Sequence, residues 1–182
     1  KARNKSLISF SLSTVLNYPV EFFYQEGETL PPALALRKRN IVAQKIMVPI
    51  EAQVNIYRLN VEKLIKAINY PEISLPVLDI EKLGSPAEAA RKLRKIWKIE
   101  KGVIPNLTQV LEENGLFVIN FDFNTDRVDG MSILAHGKFP ILFSNKRSLG
   151  DRQRFTLAYE LGHLVMHLQT NPSFTRDISH EA

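Results

Sequence analysis

The string Arg154-Phe-Thr-Leu-Ala-Tyr-Glu-Leu-Gly-His-Leu-Val-Met-His167 constrains the fold of this chain more than any other stretch. Leu157, Leu161, Leu164 and Leu168 recur at the three-and-four spacing of one apolar helical stripe. The segment is therefore expected to be a helix lying on a core. Residues four apart on a helix stand one turn apart on one face, so positions 159, 163 and 167 form a second stripe. That stripe carries Tyr159, His163 and His167, with Glu160 beside it. Taken alone, these polar side chains are either a reactive group or hydrogen-bonded bystanders on a core helix. Both readings stay open at this point.

Composition narrows the class. With 182 residues and 45% hydrophobic content, the chain can build one compact domain plus an appendage, or two small domains. No apolar run approaches the ~20 residues of a membrane-spanning helix, and Lys1-Ala-Arg-Asn-Lys5 does not open a signal peptide. There is no cysteine, which excludes disulfides, thiolate metal sites and thiol nucleophiles, and fits a cytoplasmic setting. The net charge of +5 is compatible with a nucleic-acid partner and equally with simple solubility. The absence of an initiator Met is expected of a fragment whose own N-terminal part lies upstream of Lys1.

Three regions follow one another. In residues 1–32, Leu12, Val15 and Leu16 have helical spacing, Asn17 lies near the helix end, and Pro19 cannot continue it. Phe22, Phe23 and Tyr24 offer an apolar anchor before a break at Gly27, Pro31 and Pro32. Residues 33–76 read as a helical linker. Arg37-Lys38-Arg39 is a basic cluster, and after Pro49 a long helix carries Val54, Tyr57, Val61, Leu64, Ile65 and Ile68 until Pro71 and Pro76.

Residues 77–182 read as an α+β domain. Ser85-Pro86-Ala87-Glu88 is a helix start, with a Ser cap, Pro at the first helical position and an early acid. Ala89, Leu93, Ile96 and Trp97 would face inward, and Arg91, Lys92, Arg94, Lys95 and Lys98 outward. A second helix runs near 105–114 and ends at Gly115. Three strands are expected at 116–121, 130–134 and 139–143 from their β-branched and aromatic content. Ser148 and Asp151 resemble a capping box at the start of the motif helix. Asp122, Asp126 and Asp129 lack the Gly and terminal Glu of a calcium loop and read as a turn.

The chemistry of the motif turns on one position. A His-Glu-x-x-His helix binds zinc through two imidazoles one turn apart, at ~2.0–2.1 Å. The intervening Glu takes a proton from the metal-bound water. Here Glu160 stands at the general-base position and His163 at the second ligand, but Tyr159 occupies the first. A neutral phenol is a poor ligand, because the metal must first displace its proton. Recruiting His167 as partner to His163 would leave Glu160 on the wrong turn. A bare Glu-x-x-His is common by chance, whereas the longer string is far more specific.

That longer string resembles the ImmA/IrrE family of metallopeptidase-like proteins. Members typically read Arg-Phe-Thr-Leu-Ala-His-Glu-Leu-Gly-His, three hydrophobic residues, then His. This chain matches at Arg154 to Ala158, at Glu160 to His163 and at His167, and departs at Tyr159. Ile141-Leu-Phe-Ser-Asn145 before the helix, and Ile104-Pro-Asn-Leu107 opening an earlier one, are also similar to the family pattern. The resemblance covers about residues 77–182. It implies a zincin-like domain: a small three-stranded sheet packed on helices that include the Glu-x-x-His helix, here with an N-terminal helical extension. It also implies a Glu on a following helix as a further ligand. Glu181, in Glu181-Ala182, is the matching residue, and the chain stops before that helix would be complete. His180 takes no role from the family.

The segment from Leu12 to Phe23 resembles the last helix and exit of an XRE-type helix-turn-helix domain, which precedes the peptidase-like part in many members. An ordinary amphipathic helix accounts for the same residues. On the first reading the recognition helix lies upstream of Lys1, and most of the base-reading surface lies with it.

Three functions compete. The first is a cytoplasmic XRE-type transcriptional regulator whose peptidase-like domain, with a degenerate metal site, senses a signal or a partner regulator. DNA would be bound through the upstream domain, and a homodimer is compatible with this reading. The second is an active zinc metallopeptidase that cleaves a repressor or antitoxin-like protein, using Glu160, His163 and Glu181. The third is a plain nucleic-acid-binding module using the basic faces at 37–45 and 91–101, where aromatics for base stacking are sparse. Tyr159 favours the first reading, with zinc bound weakly or not at all and peptidase activity lost or impaired.

Overall fold

The computed structural model describes residues 2–25, 35–38, 42–70, 73, 75–135 and 138–168. Gly27, Pro31, Pro32, Arg39, Pro71, His180 and Glu181 lie outside them, as do the side chains of Arg37, Lys38 and His167.

A mixed sheet organises the chain. Its strands are β1 (Ala35–Lys38), β2 (Phe117–Phe121), β3 (Val128–Ala135) and β4 (Phe139–Asn145), in the order β1-β3-β4-β2. β2 runs parallel to β4, and the other two pairings are antiparallel. The three strands expected from the sequence are all present, so the fold is α+β. The fourth, β1, corrects the expected three-stranded sheet. Four residues that run into the basic cluster carry too little alternation to announce a strand, whereas an open edge on β3 gives them backbone partners.

Strand alternation splits the core in two. Met131, Ile133, Ile141, Phe143 and Phe121 face one way and pack with Met47, Ile50, Val54 and Ile65 of α2 (Gln44–Ala67). Leu142 and Val118 face the other way. There they meet α4 (Pro86–Ile96), α5 (Leu107–Glu113) and α6 (Gly150–His163) through Leu93, Leu111, Leu157 and Leu161. A short α3 (Ile80–Leu83) precedes α4.

Two expectations for the middle region change. The long helix is not only a connector: it supplies one whole face of the core. It also begins before Pro49, at Gln44. Its buried row is Met47, Ile50, Val54, Arg58 and Ile65, and Tyr57, Leu64 and Ile68 are exposed. The one buried cation in that row, Arg58, is bound by Glu62 at 2.6 Å and by Asn55 at 3.2 Å, which offsets the desolvation of its charge.

Local signals fared better around the other helices. Ser85 caps α4, its Oγ accepting from the Glu88 N–H at 3.2 Å, and Pro86 takes the first helical position. Ala89 and Leu93 are buried, but Ile96, the last residue of α4, is exposed. Asn106 caps α5, and Gly115 follows it in the left-handed region at φ 86°. No capping box forms at α6. Its cap position is Leu149, and Asp151 Oδ1 accepts from the N–H of Arg152 instead.

The N-terminal α1 (Ala2–Leu16) ends at Asn17, which has φ 53°. It packs against a 3-10 turn, Val20–Tyr24, where the Tyr18 and Phe22 rings lie 4.5 Å apart. Leu7, Ile8, Phe10, Val15 and Leu16 of α1 are exposed.

Candidate functional site

The helix that carries the motif is held to the sheet by three side chains in a row. Arg152 donates through Nε and Nη2 to the two carboxylate oxygens of Asp129, at 2.9 and 3.0 Å. One helical turn on, the Thr156 methyl lies over Gly130, where only a glycine leaves room for it. One turn further, Glu160 Oε2 accepts from the Ser132 hydroxyl at 2.8 Å. Asp129 is 2% exposed and Glu160 0%. Asp129 can reach the helix because the ladder to β1 slips there: Arg37 pairs with Gly130 but Lys38 with Val128. Two residues of β3 thus stand against one of β1, and such a bulge re-aims a side chain. Asp129 is a strand residue clamped to α6, which corrects its reading as part of a turn.

The expected ligand stripe is present as an aromatic ladder. Tyr159 lies edge-on to His163, with ring centroids 4.6 Å apart, and stacks on Phe155 at 6.4 Å. Phe155 and Tyr159 are exposed, at 57% and 42%, while His163 is half-buried. The stripe does not continue regularly to position 167. α6 ends at His163, and Leu164–Leu168 form a π turn. Hydrogen bonds there close from i to i+5, so four residues make less than one turn. Glu181 lies outside the described residues.

These residues do not fit a closed zinc centre. The helix offers one imidazole, one phenol in contact with it, and a carboxylate turned down onto Ser132. Among the described residues, no three His, Asp or Glu side chains converge to hold a metal ion.

Two cavities lie elsewhere on this helical layer. One of about 310 Å³ sits at the carboxyl ends of β2 and β4, lined by Asn106, Asn120, Ser144, Gln153 and Arg154. Arg154 is occupied there, donating to the carbonyls of Ile104 and Pro105. The other, about 210 Å³ and apolar, lies between α4, α5 and α6, lined by Leu93, Trp97, Leu161 and Met166. Neither includes Tyr159, Glu160 or His163.

Sequence reasoning missed Ser132 and Arg152. Ser132 carried one usable signal, its parity with Gly130 on the helix-facing side of β3. Asn145, noted only as the end of a strand, proves structural. Its Nδ2 donates to the carbonyls of Thr125 and Val128, both at 2.8 Å. On the basic face, Arg91 pairs with Glu88, and Arg94 donates to the carbonyls of Glu100 and Gly102. Part of that positive charge therefore serves the fold.

The loop after β2 yields a pH prediction. Asp122 accepts from Arg147 Nε at 2.7 Å and from the Asn124 N–H at 2.8 Å, and pairs with Lys146 at 3.2 Å. The Arg147 hydrogen bond is the main cause that lowers its carboxyl from 3.8 to about 2. A carboxylate with a depressed folded value stabilises above its unfolded value and loses that contribution as pH falls through the folded one. Asp122→Asn is therefore expected to flatten the melting-temperature curve between 3.8 and about 2. High salt should shrink the difference, since the pair is solvent-exposed. An unchanged acid limb in the variant would refute this.

Comparison with known proteins bears on the C-terminal part of the chain. No curated protein matches the chain, and no solved structure does. Residues 111–182 match the family model described as the IrrE N-terminal-like domain. That match covers less than half of the chain and includes β2, β3, β4 and α6. Over residues 111–182, the chain is thus similar to the metallopeptidase-like domain of the ImmA/IrrE family.

Proposed function

We propose that this chain belongs to a cytoplasmic XRE-type transcriptional regulator in which a zincin-like domain recognises a partner or signal without cleaving it. Residues 1–32 are then the end of a helix-turn-helix domain whose recognition helix lies before Lys1. Residues 77–182 are the peptidase-like part. The observation that carries the reading is Tyr159 in edge contact with His163, at the position where a first imidazole ligand would stand. Glu160, at the general-base position, is buried against Ser132. A single imidazole on the helix leaves zinc loosely held, so the domain keeps a shape for binding protein without the ion that hydrolysis needs.

The test uses the protein extended upstream of Lys1. It should bind the DNA upstream of its own coding region at low salt, with affinity falling steeply as salt rises. No shift of that DNA at low salt would sink the regulator reading. Near-stoichiometric zinc after purification would instead favour a working metallopeptidase acting on a repressor or antitoxin-like protein.

A further inference from the structure

The apolar cavity of about 210 Å³ between α4, α5 and α6 lies within the helical layer, not on an oily outer face. Of its wall, Leu93, Leu161 and Val165 are buried, and Trp97, Leu107 and Met166 are half-buried. The exposed wall residues are compact ones, Pro86, Ala90 and Ala158, which leave the way in from solvent. Among the described residues, Arg94 is the only charged side chain of the wall, and no carboxylate, amide or hydroxyl side chain lines it. Arg94 is already engaged, its Nη2 donating to the carbonyls of Glu100 and Gly102. Water needs two to four polar partners to occupy such a space, so a cavity walled this way stays dry.

We propose that this cavity binds a small uncharged aromatic molecule of one or two rings. An apolar space of ~150 Å³ is enough to bind benzene, and this one is larger. Trp97 offers a ring for offset or edge contact, and the Met166 thioether favours an aromatic neighbour. A charged ligand would leave water for walls that cannot pair it, and a peptide would bring backbone N–H and C=O groups with the same difficulty. The occupant would also lie against the motif helix. A Cβ at Gly162 would stand 3.2 Å from Met166 Cε, so the end of Met166 folds back over that glycine. His163 follows Gly162 and precedes the π turn that carries Val165 and Met166. Wall residues thus flank it on both sides in the chain, which makes the occupant the signal of the sensing domain. In that role the inference rests on the reading given above, whereas binding itself needs neither metal nor DNA.

The probe is toluene, titrated against the full chain with the emission of Trp97, the only tryptophan, as the readout. A saturable change is expected. Ala90→Leu on α4 and Ala158→Leu on α6 each push a side chain into the cavity from a different helix. One extra methylene in an apolar pocket already shifts affinity ~10-fold or more, so each should weaken toluene by at least ~10-fold. Ala87→Leu, on α4 but outside the wall, should bind as wild type does. Benzoate, the same ring carrying a charge, should not bind. No saturation by toluene up to its solubility would overturn the proposal. So would wild-type affinity in both filled variants, or benzoate binding as well as toluene. Filling an empty space should not lower the melting temperature. A lower value in both Ala90→Leu and Ala158→Leu would mean that the room is not there, and would overturn the proposal as well. A protein that shifts its DNA but ignores toluene sinks this inference alone, and one that binds toluene but no DNA sinks only the regulator reading.

Discussion

Gly130→Ala is expected to destabilise the folded chain by about 3 kcal/mol or more, at the upper end of what overpacking a close-packed interior does. A Cβ built on Gly130 falls 2.6 Å from the Phe143 carbonyl oxygen and also into the Thr156 methyl. The first obstacle is backbone of the neighbouring strand, and the second is a stiff β-branched side chain. Neither can swing aside, so α6 would have to lift from β3. That movement would also stretch the Ser132–Glu160 hydrogen bond of 2.8 Å. Urea midpoints measure the effect, with Gly150→Ala as a control. No atom lies within 4 Å of a Cβ at Gly150, and Gly→Ala at a helical position is neutral to favourable by up to ~1 kcal/mol. If Gly130→Ala melted with wild type, the close approach of helix and sheet described above would be wrong.

The second large effect concerns metal. Tyr159→His should raise zinc affinity by ~100-fold or more, since losing even an outer-sphere partner of a zinc ligand costs 10–100-fold. The rings at 159 and 163 already lie 4.6 Å apart between centroids. Two imidazoles one turn apart can share one ion at ~2.0–2.1 Å each. Position 159 is partly exposed, so the change should leave stability nearly untouched. Metal analysis after dialysis is expected to find well under one zinc per chain in wild type and close to one in the variant. Should both chains hold a full ion, Tyr159 would not be a lesion. Should neither, the stripe would lack a competent further ligand, the role assigned by resemblance to Glu181.

What the sequence announced was local. Ser85 and Pro86 opened α4, Gly115 followed α5, and alternation located β2, β3 and β4, because each signal lies within a few residues of what it specifies. The motif string located α6 for the same reason. What stayed hidden depends on distant pairing. Ala35–Lys38 becomes a strand only beside β3. Which side of α2 is buried depends on where Phe121 and Phe143 lie. Ser132 becomes the seat of Glu160 only once α6 crosses β3, and Asp129 meets Arg152 only through a bulge that needs β1. The site was thus legible as a helix with one ligand replaced, but the row that anchors that helix was not.

The segment that the family model matches and the hydrophobic core that it takes part in differ in extent. Residues 111–182 contain the strands β2, β3 and β4, yet the face formed by Phe121, Met131, Ile133 and Phe143 is roofed by Met47, Ile50 and Val54 from far upstream. Excised by itself, that stretch would show water a broad oily plane and would clump. Heredity drew one border here and solvent exclusion another: the first leaves α2 outside, and the second takes it in.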